Sequence, residues 1–201
     1  GTINWIDSTA SAVGETIYNL CKAIGRRITK EIAECVYMAL VTDTGSFHFP
    51  NTSDRTLKVA SELIKAGARP AQIGEAVYNN YPWSRIELMR QVLGTVKRDD
   101  SGRIAMLRQT IEMKEVSGAI DGDNKGFVNI PLAAKDVQAA IYMREVGDDQ
   151  YRVSLRSKGD RNVAKVAEGF GGGGHKNAAG LRIEGNWDEA EAKIVGAMQY
   201  A

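Results

Sequence analysis

The sequence predicts an α/β chain of α+β character, with a helical first half and a small mixed-sheet second half. Three observations predict it. Apolar residues recur at helical spacing in successive segments up to about residue 98. Strand-like runs take over at 104–107, 137–146, 151–155 and 179–183. Between them lies Lys97-Arg98-Asp99-Asp100-Ser101-Gly102, a charged turn that reads as a hairpin or a domain boundary. The expected domains are 1–98 and 99–201.

The first helix is expected over 8–25, capped by Ser8 or Thr9, with Val13, Ile17, Leu20 and Ile24 on its core side and Gly25 as its stop. Thr29 caps a second helix, which turns Ile32, Val36 and Leu40 inward and ends near Asp43. Further helices are expected at 53–66, closed by Gly67, and at 70–78 and 83–93. In the second half, helical pieces fall at about 110–118 and 161–168, and Asp148-Asp149 reads as a hairpin turn. A last amphipathic helix over 187–198 is capped by Asn186.

Composition bounds the function. With 201 residues, 43% apolar and 25% charged, the chain can bury a core without staples. A net charge of +1 sets up no global field toward long nucleic acids, but a local pocket for a small anion needs no net charge. Two cysteines make neither a disulfide framework nor a zinc signature. Cys35 lies in the apolar run 32–40, so a buried free thiol is expected, which fits a reducing, cytoplasmic setting. No run approaches the ~20 apolar residues of a membrane span. The chain opens at Gly1-Thr2 with neither Met nor a signal peptide, the expectation for a processed product or an excised piece.

The most informative stretch is Phe170 to Gly180, FGGGGHKNAAG. Consecutive glycines remove every Cβ, so the backbone can take φ > 0 and approach a ligand closely. Its N–H groups can converge on an anion, and His175 and Lys176 add donors beside them. A flexible linker is the bland alternative. Against it, the run is isolated and leads straight into the apolar segment Ala178 to Ile183. Gly169, Gly171 and Gly174 also fit G-x-G-x-x-G, but a helix precedes and a strand follows, the reverse of a dinucleotide fold.

Asp43 sits in Thr42-Asp43-Thr44-Gly45-Ser46-Phe47, after an apolar helix. A helix-ending turn is one reading. The other is metal binding, since a buried unpaired carboxylate is costly and a divalent ion would stabilise it. One carboxylate cannot hold a catalytic metal. His48 is near enough to face the same place, or to serve as a surface or capping residue. Arg156 and Ser157 end a strand, where an arginine can fork onto a phosphate.

Together Asp43-Thr44-Gly45-Ser46-Phe47, Ser154-Leu155-Arg156-Ser157 and Gly172-Gly173-Gly174-His175-Lys176-Asn177-Ala178-Ala179-Gly180 resemble the DHH/DHHA1 phosphoesterases, in particular the bacterial oligoribonuclease and pAp phosphatase branch. The resemblance implies the helical carboxy-terminal part of a DHH domain followed by a mixed-sheet DHHA1 domain. It implies two Mn²⁺ or Mg²⁺ ions and metal-assisted hydrolysis. Asp43 matches a metal ligand, and Gly172, Gly173, Gly174, His175 and Lys176 match a phosphate loop. Arg156 and Ser157 match a neighbouring substrate contact. The implied partners are short RNA oligonucleotides or nucleoside bisphosphates, with no membrane; a homodimer stays open.

The family's earlier Asp and His motifs, including Asp-His-His itself, are missing from the sequence, and His48 stands where relatives often have Arg. The chain is therefore expected to be a fragment with an incomplete metal site, inactive alone. The alternatives are a non-catalytic nucleotide-binding or nucleic-acid-binding module, a cyclic-dinucleotide phosphodiesterase relative, and a single-strand exonuclease relative.

Overall fold

The computed structural model describes residues 2 and 4–199. The fold is mixed α/β: helices first, then a six-stranded mixed sheet with helices. The chain divides into two compact units, 1–80 and 81–201.

The first unit holds α1 (Val13–Ala23), α2 (Lys30–Asp43), α3 (Asp54–Lys65) and α4 (Pro70–Tyr78). Thr29 caps α2 through its side chain, as expected, and a capping box of Ser53 with Thr56 opens α3. Val36, Tyr37, Leu40, Val59 and Leu63 form the centre of the core.

Helix α1 differs from expectation in two ways. It starts at Val13 behind Ala12, with no side-chain cap from Ser8 or Thr9. Its apolar stripe is also on the outside: Val13 and Ile24 are 70% and 67% exposed, and Ile17 and Leu20 are exposed as well. The packed face carries Gly14, Glu15 and Tyr18 instead. Gly14 lies so near α2 that a Cβ would come within 2.9 Å of the Ala39 methyl group. Periodicity reports a stripe but not what covers it. Glu15 is fully buried and held by the Arg55 guanidinium and by the Ser11 hydroxyl at 2.8 Å. Cys35 is exposed and Cys21 half-buried, so the expected buried thiol is corrected. Cys35 lies on the side of α2 away from Ala33, Val36 and Leu40.

The second unit begins with α5 (Trp83–Leu93), whose Leu88 and Val92 are buried with Leu107, Phe127 and Tyr142. By composition α5 continues the helical half, yet it packs on the sheet. Then come β1 (Lys97–Arg98), β2 (Ile104–Gln109), α6 (Ile111–Ser117), β3 (Ala139–Gly147), β4 (Gln150–Ser157), α7 (Val163–Gly169), β5 (Gly173–His175), β6 (Ala178–Glu184) and α8 (Trp187–Gln199). The charged turn at 97–102 is a hairpin, with the Asp99 carboxylate accepting from the N–H groups of Arg103 and Ile104. Asp148-Asp149 joins β3 to β4 as expected, Asp149 taking φ 51°.

The strand order is β1-β2-β3-β4-β6-β5, antiparallel except for the parallel pair β2/β3. Alternation sorts the side chains onto two faces. On one face Ile141, Met143, Val153, Leu155 and Leu181 pack with Val163, Ala167, Ile194 and Met198 of α7 and α8. On the other face α5 and α6 cover the β2/β3 end, whereas Arg152 and Arg182 at the β4/β6 end are exposed.

Candidate functional site

The glycine run divides its work. Gly171 takes φ 73° after α7, and its N–H donates to the Glu168 carbonyl while that of Gly172 donates to the Ala167 carbonyl. This is a Schellman stop, so two of the run's N–H groups cap a helix. Gly172 then passes so close to β6 that a Cβ would fall 2.3 Å from the Gly180 carbonyl oxygen. Gly173 to His175 form β5, paired with β6. The expected loop of convergent N–H groups is therefore a helix stop followed by a short edge strand.

Strand register brings the expected side chains together. Arg156 of β4 pairs with Ala178 of β6, and Ala178 pairs with His175 of β5. Arg156 and His175 thus share one level of the open face, with a methyl group between them. One step along, Ser154, Gly180 and Gly173 form the next level, which is nearly bare of side chains. Arg156 is half-buried and forms no ion pair with the described residues; burial pulls its pKa below the usual guanidinium range. Its Nη1 donates to the Leu155 carbonyl at 2.9 Å. A half-buried arginine without a carboxylate beside a bare floor is suited to an oxyanion.

Ser157 and Lys176 lie apart from this pair. Ser157 points to the opposite face, where its hydroxyl donates to the Arg161 carbonyl at 2.8 Å and accepts from Asn177 at 3.0 Å. The ammonium group of Lys176 pairs with Asp160 at 2.7 Å, and this hydrogen bond lowers the Asp160 pKa. The sequence missed Asn177, whose amide also donates to the Gly159 carbonyl at 3.1 Å and ties the 157–161 turn to the start of β6.

In the first unit, Asp43 ends α2 and is exposed, so the expected cost of burying it does not arise. The turn after it is unusual. Gly45, Ser46 and Phe47 have φ of 55°, 59° and 67°, a left-handed run in which only Gly is at ease. Buried Thr44 holds it, its hydroxyl accepting from the Phe47 N–H at 3.0 Å and donating to the Leu40 carbonyl at 2.6 Å. The amide of Asn51 donates to the Asp43 carbonyl at 3.1 Å. The His48 ring bonds the Gly45 carbonyl, the capping reading of that residue. Among the described residues, no group of three or more His, Cys, Asp or Glu could hold a metal ion. Asp43 offers a single carboxylate, so these residues do not by themselves fit a catalytic metal. No helix among them is long and apolar enough to cross a membrane.

The chain is 30% identical over 200 residues to a bifunctional oligoribonuclease and PAP phosphatase of Thermus thermophilus, covering 99% of this chain and 60% of that protein. It is 31% identical over 194 residues to the protein of the same name from Bacillus subtilis, covering 95% and 60%. A crystal structure of an exopolyphosphatase-related protein from Bacteroides fragilis superposes with a TM-score of 0.90 at 34% identity, covering 96% of this chain and 57% of that one. The chain thus spans about 60% of the length of these curated relatives. Residues 109–199, from the end of β2 to the end of α8, match the DHHA1 domain family.

Proposed function

We propose that this chain supplies the nucleotide-phosphate-binding part of a DHH/DHHA1-type phosphoesterase acting on short oligoribonucleotides and nucleoside 3′,5′-bisphosphates. The observation that carries the reading is the level shared by Arg156 and His175 over a floor of Ser154, Gly180 and Gly173. Arg156 would fork onto phosphate oxygens, and His175 would donate from the edge strand. The glycines would let the phosphate lie against backbone. Gly172 and Gly174 contribute by bringing β5 close to β6. Lys176 would add a more distant charge, and Ser157 would hold the end of β4 in place. The names of the Thermus thermophilus and Bacillus subtilis relatives support the substrate class.

The hydrolytic step would need Mn²⁺ or Mg²⁺, and Asp43 is the residue proposed to contribute a carboxylate to that site. The strained turn behind Asp43 supports a functional role there. Calorimetric titration of pAp onto the chain tests the phosphate site. Binding is expected, weakened about ten- to a hundredfold by His175→Ala. Unchanged affinity would remove the site from the reading. Turnover of pAp or a dinucleotide with Mn²⁺ is expected only from a protein that adds the remaining ligands to Asp43. Such a protein, inactive on both substrates, would overturn the assignment.

A second reading is a nucleotide-binding module without catalysis. It is favoured by one observation, that the described residues gather no metal-ligand cluster. Full pAp binding together with inactivity of the ligand-complete protein would select it.

A further inference from the structure

Four residues above Arg156 along the open face, the sheet carries a row of cations. Arg144 of β3 pairs directly with Arg152 of β4, and Arg152 pairs directly with Arg182 of β6. Three arginines thus stand side by side on adjacent strands, facing the same way. Like charges directly opposite each other destabilise a sheet, so such a row is a cost to folding. No carboxylate among the described residues forms an ion pair with any of the three. Arg152 and Arg182 are exposed. Arg144 is half-buried; among the described residues its Nη1 reaches only Asn124 Oδ1 at 3.4 Å, and its Nε is buried with no hydrogen-bond partner. Burial pulls the Arg144 pKa down, helped by the neighbouring Arg152 charge and opposed only in part by Tyr142 and Asp121.

The row borders a cavity of about 490 Å³, lined by Arg144, Arg152, Ser154, Gly172, Gly180 and Arg182. The same bare level that adjoins Arg156 therefore adjoins the arginine row from below. Four residues at about 3.3 Å each put the two cationic levels roughly 13 Å apart. A phosphate on Arg156 leaves the upper row unfilled, whereas a chain of phosphates running across the bare floor reaches both.

We propose that Arg144, Arg152 and Arg182 form a second phosphate-binding row, which takes the downstream phosphodiesters of a single-stranded oligonucleotide whose end phosphate lies at Arg156. This rests on the reading of Arg156 and His175 given above and extends it from one phosphate to a chain. It makes the open face a length sensor: a mononucleotide engages one level and a longer oligonucleotide two.

The test measures binding to the 201-residue chain without divalent ions, using pAp, a fluorescein-labelled pentaribonucleotide and pentameric polyphosphate. Arg152→Ala/Arg182→Ala changes two exposed side chains, and its circular dichroism melt confirms folding. The double variant is expected to bind the pentanucleotide about tenfold more weakly and to keep wild-type affinity for pAp. Each lost contact removes about 0.7 from the slope of log K against log salt, so the slope falls by about 1.4. Equal pentanucleotide affinity and an unchanged slope in the folded variant would overturn the row while leaving the Arg156 site intact. Failure of the wild type to bind pAp would instead sink the underlying reading. Tighter, row-dependent binding of polyphosphate than of the pentanucleotide would overturn the oligonucleotide assignment.

Discussion

Arg156 and Ser157 are neighbours in sequence but face opposite sides of the sheet: Arg156 lies over the open floor, and the Ser157 hydroxyl is turned toward Arg161 and Asn177. Their substitutions should separate. Arg156→Ala is expected to weaken pAp binding about ten- to a hundredfold with little change in melting temperature. Ser157→Ala is expected to cost about 1 kcal/mol of stability, because it removes the hydroxyl's bonds to the Arg161 carbonyl and from the Asn177 amide while the Asn177–Gly159 and Asn177–Arg161 bonds remain, and to leave affinity unchanged. Titration calorimetry and urea denaturation of both variants check this.

The glycine run makes a similar contrast between two adjacent residues. A Cβ at Gly172 would sit 2.3 Å from the Gly180 carbonyl oxygen and 2.7 Å from the Leu181 Cβ. A Cβ at Gly173 meets nothing within 4 Å. Gly172→Ala is expected to destabilise the fold by about 2 kcal/mol or more, and Gly173→Ala by no more than about 0.5 kcal/mol. Equal melting curves for the two variants would contradict the close approach of β5 to β6.

This contrast also shows how far the sequence could be read. The run of glycines announced a special backbone, and helical periodicity before it with an apolar strand after it gave the order of elements correctly. Which glycine caps α7 and which one packs under β6 depends on strand pairing, a non-local fact. The same limit explains α1. Val13, Ile17, Leu20 and Ile24 do make a stripe, but Gly14 and Tyr18 on another side of the helix decide the packing. The arginine row escaped notice for a related reason. Arg144, Arg152 and Arg182 are far apart in sequence, and only the pairing of β3, β4 and β6 lines them up.

The arginine row should leave a mark on stability as well as on binding. Removing one of three adjacent like charges relieves repulsion, so Arg182→Thr is expected to raise the melting temperature by about 1–3 °C at low salt. The gain should shrink as salt screens the charges. Differential scanning fluorimetry at two ionic strengths measures both. A lower melting temperature would mean that Arg182 supports the fold by contacts other than charge.

Acid sensitivity should arise where α8 meets the sheet. Glu191 is buried, and burial alone would raise its pKa. Hydrogen bonds from Arg108 at 2.8 Å and from Lys97 at 2.6 Å outweigh that and hold it below the ordinary carboxylate value. A depressed folded-state pKa means that stability is fully present above the unfolded value, about 4.3, and is lost as pH falls through the folded value. Glu191→Gln is therefore expected to flatten the fall in stability below about pH 4.5 relative to the parent chain. Urea midpoints from pH 6 to pH 3 supply the comparison, and parallel curves would remove Glu191 as the cause.

Because side chains alternate, a strand that slid by one residue would carry its cations inward and its aliphatic groups into water. If β6 slipped past β4 in this way, Leu181 would leave the core and Arg182 would enter it. The spacing of charges on the outer surface is thus enforced by the oily side of the sheet, which packs against α7 and α8. Redesign of that outer charge spacing can therefore proceed by exchanging outward residues alone, with the interior acting as a fixed ruler.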